Sequence, residues 1–218
     1  MSRRSRSHAQ TQPTAFFPTQ AYLGYPKGYQ QEPSLRQRRR EYAEFSRKLR
    51  AIFAPLLLNR YALLEHMMVQ TSLGFSGGAA GADCVAVTRF GVFVITHIRS
   101  VGTLSLTTKA NELLVTESDT EHAVRCPLWQ AAPVVHFLSA LLADIKCPVA
   151  AIAITTDDAC KIDFDLPPSI MKLHEVDQFL RQRYAPFVGV QWSFFDVNQI
   201  SARIRQGCRD WDEEVAEA

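Results

Sequence analysis

An α/β fold, with helices on the faces of a mixed sheet, is predicted by three features of this chain. Tyr42, Phe45, Leu49, Ile52 and Phe53 recur at helical spacing. From Leu63 to Thr116, short strand-like segments separated by turn residues predict an antiparallel meander. A second helical pattern over Pro127–Asp144 then leads into Val149–Thr155, which is apolar on both parities, as expected of a strand covered on both sides. Elements of these types bury their apolar faces by packing helices against a sheet.

The elements follow in order. Ser34, after Pro33, is placed to cap the first helix, and Pro55 should end or bend it. Arg36, Arg39, Arg40, Arg47 and Arg50 fall on the face opposite the apolar stripe. Leu63–Thr71 reads as the first strand. A Gly-rich connection, Gly74–Gly81, leads to a second at Ala82–Thr88. The Arg89-Phe90 link joins it to Gly91–Ile98, and Thr103–Thr107 and Leu113–Thr116 complete the meander. Pro127 opens the next helix, with Val134, Leu138, Leu141 and Leu142 on one face and Pro133 as an irregularity. Further helices are expected over Leu173–Arg183 and Val197–Gln206, with a short strand at Val190–Phe194 between them.

Length and composition predict one domain of ordinary size, residues 34–209, between two tails. The net charge of +2 conceals an asymmetry: residues 1–50 carry a net +8 and the rest a net −6. Residues 1–33 are rich in Ser, Gln, Thr, Pro and Arg, a composition that predicts a disordered or loosely attached basic arm. Its aromatics, within residues 16–29, suit attachment to the body of the protein or to a protein partner. Residues 210–218 form an acidic tail. No apolar run is long enough to cross a bilayer, and the N-terminus shows no apolar core of a secretory signal. The five cysteines form no CxxC pair and have no zinc-ligand spacing, so reduced thiols in a cytoplasmic protein are expected. Gly77-Gly78-Ala79-Ala80-Gly81 lacks the following Lys-Ser/Thr of a phosphate loop, and no GxSxG motif accompanies the histidines.

The residues that carry chemistry cluster in one series. Asp83 opens an apolar strand, and Gly91-Val92-Phe93-Val94-Ile95 follows after a turn. Gly102 lies six residues beyond Thr96, and Cys126-Pro127-Leu128-Trp129-Gln130 opens a helix. Across about residues 35–160 this series resembles the nuclease-related domain family, which is similar to restriction-endonuclease-like nucleases of the PD-(D/E)xK type. The resemblance implies a restriction-endonuclease-like mixed sheet and a magnesium-dependent phosphodiesterase site. Asp83 matches the family's aspartate, and Pro127 and Gln130 fit its helix start, with Cys126 in place of the usual asparagine. The helix glutamate falls to Glu41 or Glu44. The Glu-x-Lys pair does not match: the glycine register puts Thr96 in the glutamate slot and Ile98 in the lysine slot.

Cleavage of this kind needs Mg²⁺ held by carboxylate oxygens and a cation near the developing charge. Thr96 offers a neutral oxygen and Ile98 nothing polar. His97 and Arg99 lie on the opposite face of an alternating strand, and only a bulge could re-aim them. The expectation is therefore a catalytically degenerate protein without a cofactor that acts by binding. It would touch nucleic acid through Arg36, Arg38, Arg39, Arg40 and Arg47. A bacterial mobile-element or defence assembly is a fitting setting. The alternative is an active nuclease, with Mg²⁺ on a rearranged site around Asp83, a helix glutamate and His97.

Overall fold

The computed structural model describes residues 35–71, 78–184 and 194–210. The basic arm, Ser34, the side chains of Arg36, Arg38 and Arg39, residues 190–193 of the expected strand and residues 211–218 lie outside what is described. The fold is α/β, with two mixed sheets flanked by helices.

Helix α1 (Leu35–Leu56) forms because one stripe is apolar and the rest is charged. Tyr42, Phe45, Leu49 and Phe53, spaced three or four residues apart, are almost fully buried. Each such burial stabilises the fold by about 1.5–3 kcal/mol. Pro55 sits in the last turn, and the helix stops one residue later. Leu58 and Asn59, both at positive φ, then redirect the chain into β1 (Tyr61–Thr71).

Among the described residues the larger sheet has the order β10-β1-β2-β3-β7-β9, with β2 at Gly78–Thr88, β3 at Gly91–Ile98, β7 at Val149–Thr155, β9 at Ile170–Lys172 and β10 at Arg209–Asp210. Strands β1, β2 and β3 are antiparallel, whereas β7 joins β3, and β9 joins β7, in parallel. The smaller sheet has the order β6-β5-β4-β8, with β4 at Thr103–Leu106, β5 at Glu112–Glu117, β6 at Thr120–Arg125 and β8 at Lys161–Ile162. The expected single meander is thus divided. The chain leaves the larger sheet after Ile98, builds the smaller one, and returns through α2 (Pro127–Leu141) to β7.

Helices cover both faces of the larger sheet. On one face Ala131, Val134 and Leu138 of α2 and Ile200 and Ile204 of α4 (Val197–Gly207) pack on Val85, Val87, Val92 and Val94. On the other, α1 and α3 (Val176–Tyr184) pack on Cys84, Ala86, Phe93, Ile95, Ile152 and Ile154. Strand β7 is covered from both sides, which accounts for its lack of alternation. A third apolar group, including Ile98, Leu104, Leu113, Ala153 and Ile170, joins the two sheets.

Strand β2 begins at Gly78, inside the stretch expected to be a loop, because Thr71, Gln70 and Val69 of β1 pair with Gly78, Ala79 and Ala80. The β1–β2 ladder skips one level: Glu65 pairs with Cys84 and Met67 with Ala82, while His66 and Asp83 are unpaired. Leu64 and Met67 consequently enter the same core cluster at a spacing of three, as do Val85 and Ala82. Each strand has one residue too many for the two-residue pleat at this level. Helix α2 continues through Pro133, whose missing N–H leaves the Trp129 carbonyl without its helical donor on an exposed turn.

Candidate functional site

The end of β3 is the focus, and two glycines fix its register. Gly91 opens the strand at φ +150°, and a Cβ there would lie 2.8 Å from the Pro148 carbonyl oxygen. Thr88 Oγ1 donates to the Gly91 carbonyl at 2.8 Å and closes the Arg89-Phe90 turn. Gly102, at φ +100°, passes so close to the Thr116 backbone that any Cβ would collide with its carbonyl. Between these anchors, Val92 and Val94 face α2, and Phe93 and Ile95 face α1.

Thr96, Ile98 and Gln130, the positions singled out by the resemblance, line one cleft of about 180 Å³ together with Arg99, Ser100 and Arg125. Ile98 is 7 % exposed and packs with Leu104, Leu113 and Ala153. Gln130 is exposed, and its amide reaches the Arg125 carbonyl only at 3.5 Å. Cys126, the residue before α2, makes no side-chain cap. No carboxylate is among the residues lining this cleft. A larger recess, about 390 Å³, opens near the start of β3 beside Phe90, Pro148 and Gln182, away from these residues.

Asp83 does not line this cleft but adjoins it through His97, which does. The β2–β3 ladder ends at Cys84–Ile95, but β3 continues to pair with β7 as far as Ile98–Thr155. Asp83 stands at this fork, and its Oδ2 accepts the main-chain N–H of His97 at 2.8 Å. The carboxylate thus replaces the carbonyl of the departed strand, as buried backbone donors require a partner. The His97 ring turns towards α1 and stacks on Phe45, with centroids 4.3 Å apart. Its Nε2 is 3.1 Å from Thr156 Oγ1, while Nδ1 is buried with no hydrogen-bond partner. Burial pushes the imidazole pKa down to about 4; the Asp83 charge opposes this and the Arg99 charge adds to it. A neutral ring with its proton on Nε2 leaves only a lone pair unmatched at Nδ1.

The two helix glutamates are separated by their surroundings. Glu44 is exposed and pairs with Lys48 at 2.9 Å, which holds its carboxyl below the ordinary value. Glu41 is half-buried, and its charge acts on His97. Nearby, Glu65 of β1 accepts from Ser46 and from Arg50, the latter at 2.6 Å, and ties α1 to the sheet. Tyr42 is buried beside Cys84, and both hydroxyl and thiol are pushed up by burial, the thiol to about 12. Neither is primed as a nucleophile at neutral pH.

Mg²⁺, the ion implied by the resemblance, takes oxygen ligands in near-octahedral geometry. Among the described residues no group of three or more His, Cys, Asp or Glu is arranged to hold a metal. Asp83 is committed to an N–H donor, and the cleft holding Thr96 and Ile98 has no carboxylate lining it. The residues present do not fit the ion.

Comparison of the chain with family models, with curated proteins and with solved structures gives no match. Arg40 and Arg47 are exposed on α1, whereas Arg50 is engaged by Glu65. Among the described residues no helix is long and apolar enough to cross a membrane. Cys84, Cys126, Cys147 and Cys160 are buried free thiols, and Cys208 is half-buried.

Two cleft residues escape sequence reasoning. Arg99 was expected on the face opposite Thr96, but it lies one residue beyond the end of β3, where strand alternation no longer binds it. Arg125 ends β6, a strand not expected because it is polar and exposed on both faces. The available signal was Ser118-Asp119, a two-residue turn entered at positive φ, after which the chain runs back along β5.

Proposed function

We propose that this chain is a restriction-endonuclease-like protein of the nuclease-related domain type that has lost metal-dependent cleavage and acts by binding nucleic acid. The observation that carries this reading is the cleft itself: a hydroxyl and a buried branched alkyl group occupy the Glu-x-Lys positions, beside Gln130. An α/β core tolerates such replacements, because its packing does not depend on the catalytic groups. The exposed Arg40 and Arg47 on α1, in line with Arg36, Arg38 and Arg39 in the sequence, supply sequence-independent attraction for phosphates. The protein works as an interaction subunit, with residues 16–29 offered to a protein partner, in a bacterial mobile-element or defence assembly.

The test mixes purified protein with single- and double-stranded DNA and RNA in the presence of Mg²⁺ or Mn²⁺. Intact substrates and binding that weakens with salt are expected, the latter reduced when residues 1–40 are removed. Cleavage that vanishes in Asp83→Ala would instead establish a nuclease rearranged around Asp83, Glu41 and His97, and would overturn the binding-only reading.

A further inference from the structure

The cleft at the end of β3 has cationic side chains and no anionic ones. Arg99 enters from the loop after β3, and Arg125 from the end of β6, at the point where the chain turns into α2. Both side chains belong to exposed residues, and among the described residues neither guanidinium makes an ion pair. Elsewhere Arg50, Arg181 and Arg203 are each satisfied by a carboxylate. Thr96, Ser100 and Gln130 add neutral hydrogen-bonding groups, while Ile98, Leu104 and Leu113 form an apolar floor. A volume of about 180 Å³ is below the roughly 300–1,000 Å³ of pockets that enclose organic ligands. It suits one small polar group.

We infer that this cleft is an anion site in which Arg99 and Arg125 hold a single phosphate group, with Thr96, Ser100 and Gln130 as neutral partners. The inference rests on the binding-only reading where the phosphate belongs to a nucleic-acid backbone, and is independent of it where the phosphate is free. Two guanidinium groups favour a phosphate, because their fork of donors matches its oxygens and the charges are opposite. No bond is made or broken.

Two probes distinguish the sources: inorganic phosphate, followed by phosphorus NMR, and a fluorescein-labelled single-stranded oligonucleotide, followed by anisotropy over a salt series. Both are applied to the full chain, to R99Q/R125Q, to R99K/R125K and to R40Q/R47Q, with circular dichroism as a check on folding. R99Q/R125Q is expected to weaken phosphate binding by about tenfold or more and to lower the salt slope of oligonucleotide binding by about 0.7, the contribution of one phosphate of a single strand. R99K/R125K should keep that slope while binding less tightly. Phosphate binding lost in R99Q/R125Q, with no oligonucleotide binding by the wild type, supports the anion site and rejects the nucleic-acid reading. Phosphate and oligonucleotide binding both unchanged in R99Q/R125Q, with the latter weakened by R40Q/R47Q, rejects the anion site and leaves the nucleic-acid reading standing. Failure of the wild type to bind either probe rejects both.

Discussion

The imidazole of His97 lies nearly parallel to the Phe45 ring, 14° between planes, so that a strand residue and a helix residue share one buried stack. The contact ties the end of β3 to α1 and shields most of the imidazole, Nδ1 included, from water. Such aromatic pairs contribute about 0.5–1.5 kcal/mol beyond area burial.

Acid should loosen this junction. The folded-state pKa of His97, about 4, lies below its ordinary 6.5, because burial disfavours the cation. Above about pH 6.5 the ring is neutral in both folded and unfolded chains, and stability is at its full value. As pH falls towards about 4 the unfolded chain takes up the proton first, and stability drops by at most about 3 kcal/mol. Urea unfolding of wild type and His97→Phe at several pH values between 7 and 4 should show a flatter profile for the variant. Equal slopes would sink this account.

Asp83 should matter to stability whatever it does for function. Asp83→Ala strands the His97 N–H at the strand fork, at a cost of about 1–3 kcal/mol. Asp83→Asn keeps an acceptor oxygen and should lose less. Chemical denaturation of the two variants gives the order directly, and indistinguishable midpoints for Ala and wild type would contradict it.

Installing the Glu-x-Lys pair that the resemblance implies should fail for a packing reason. Ile98 is buried between the sheets, so Ile98→Ala should cost about 2–5 kcal/mol. Ile98→Lys should cost at least as much, since a buried ammonium ion has no carboxylate there to meet. Thr96→Glu, at a half-buried position, should be the milder change. Thermal melts of the three variants rank them, and a T96E/I98K protein that is both stable and cleaves DNA would be the contrary outcome.

Gly91→Ala should uncouple β3 from its parallel neighbour. The added methyl group meets the Pro148 carbonyl at 2.8 Å, at a backbone angle that L-residues rarely adopt. A loss of about 1–3 kcal/mol is expected, read as a lowered melting temperature. Gly207→Ala is the comparison, because a Cβ there would meet the ends of the flexible Leu141 and Phe137 side chains.

Much of this architecture was legible because strong periodicity survives folding. The stripe from Tyr42 to Phe53, the run Gly91–Ile98, the helix opened by Pro127 and the two-sided apolar strand Val149–Thr155 all appear near their expected bounds. The division into two sheets was not legible, since nothing local in Thr103–Leu106 says that its parallel neighbour is Lys161–Ile162. Strand β6 was hidden for a related reason: an edge strand open to solvent needs no apolar alternation. Thr96, Ile98 and Gln130 line one cleft, whereas Asp83 holds backbone at the fork, and no sequence pattern reveals which donor a carboxylate will meet.

The matched step over His66 and Asp83 also has a consequence for assembly of the sheet. Sliding either strand by one position would put the two kinks out of phase and rotate Met67, Val69 and Ala82 away from the interior they share. A hairpin with such a notch can be threaded in one alignment only, like a key cut on both edges, whatever the residues that join its arms.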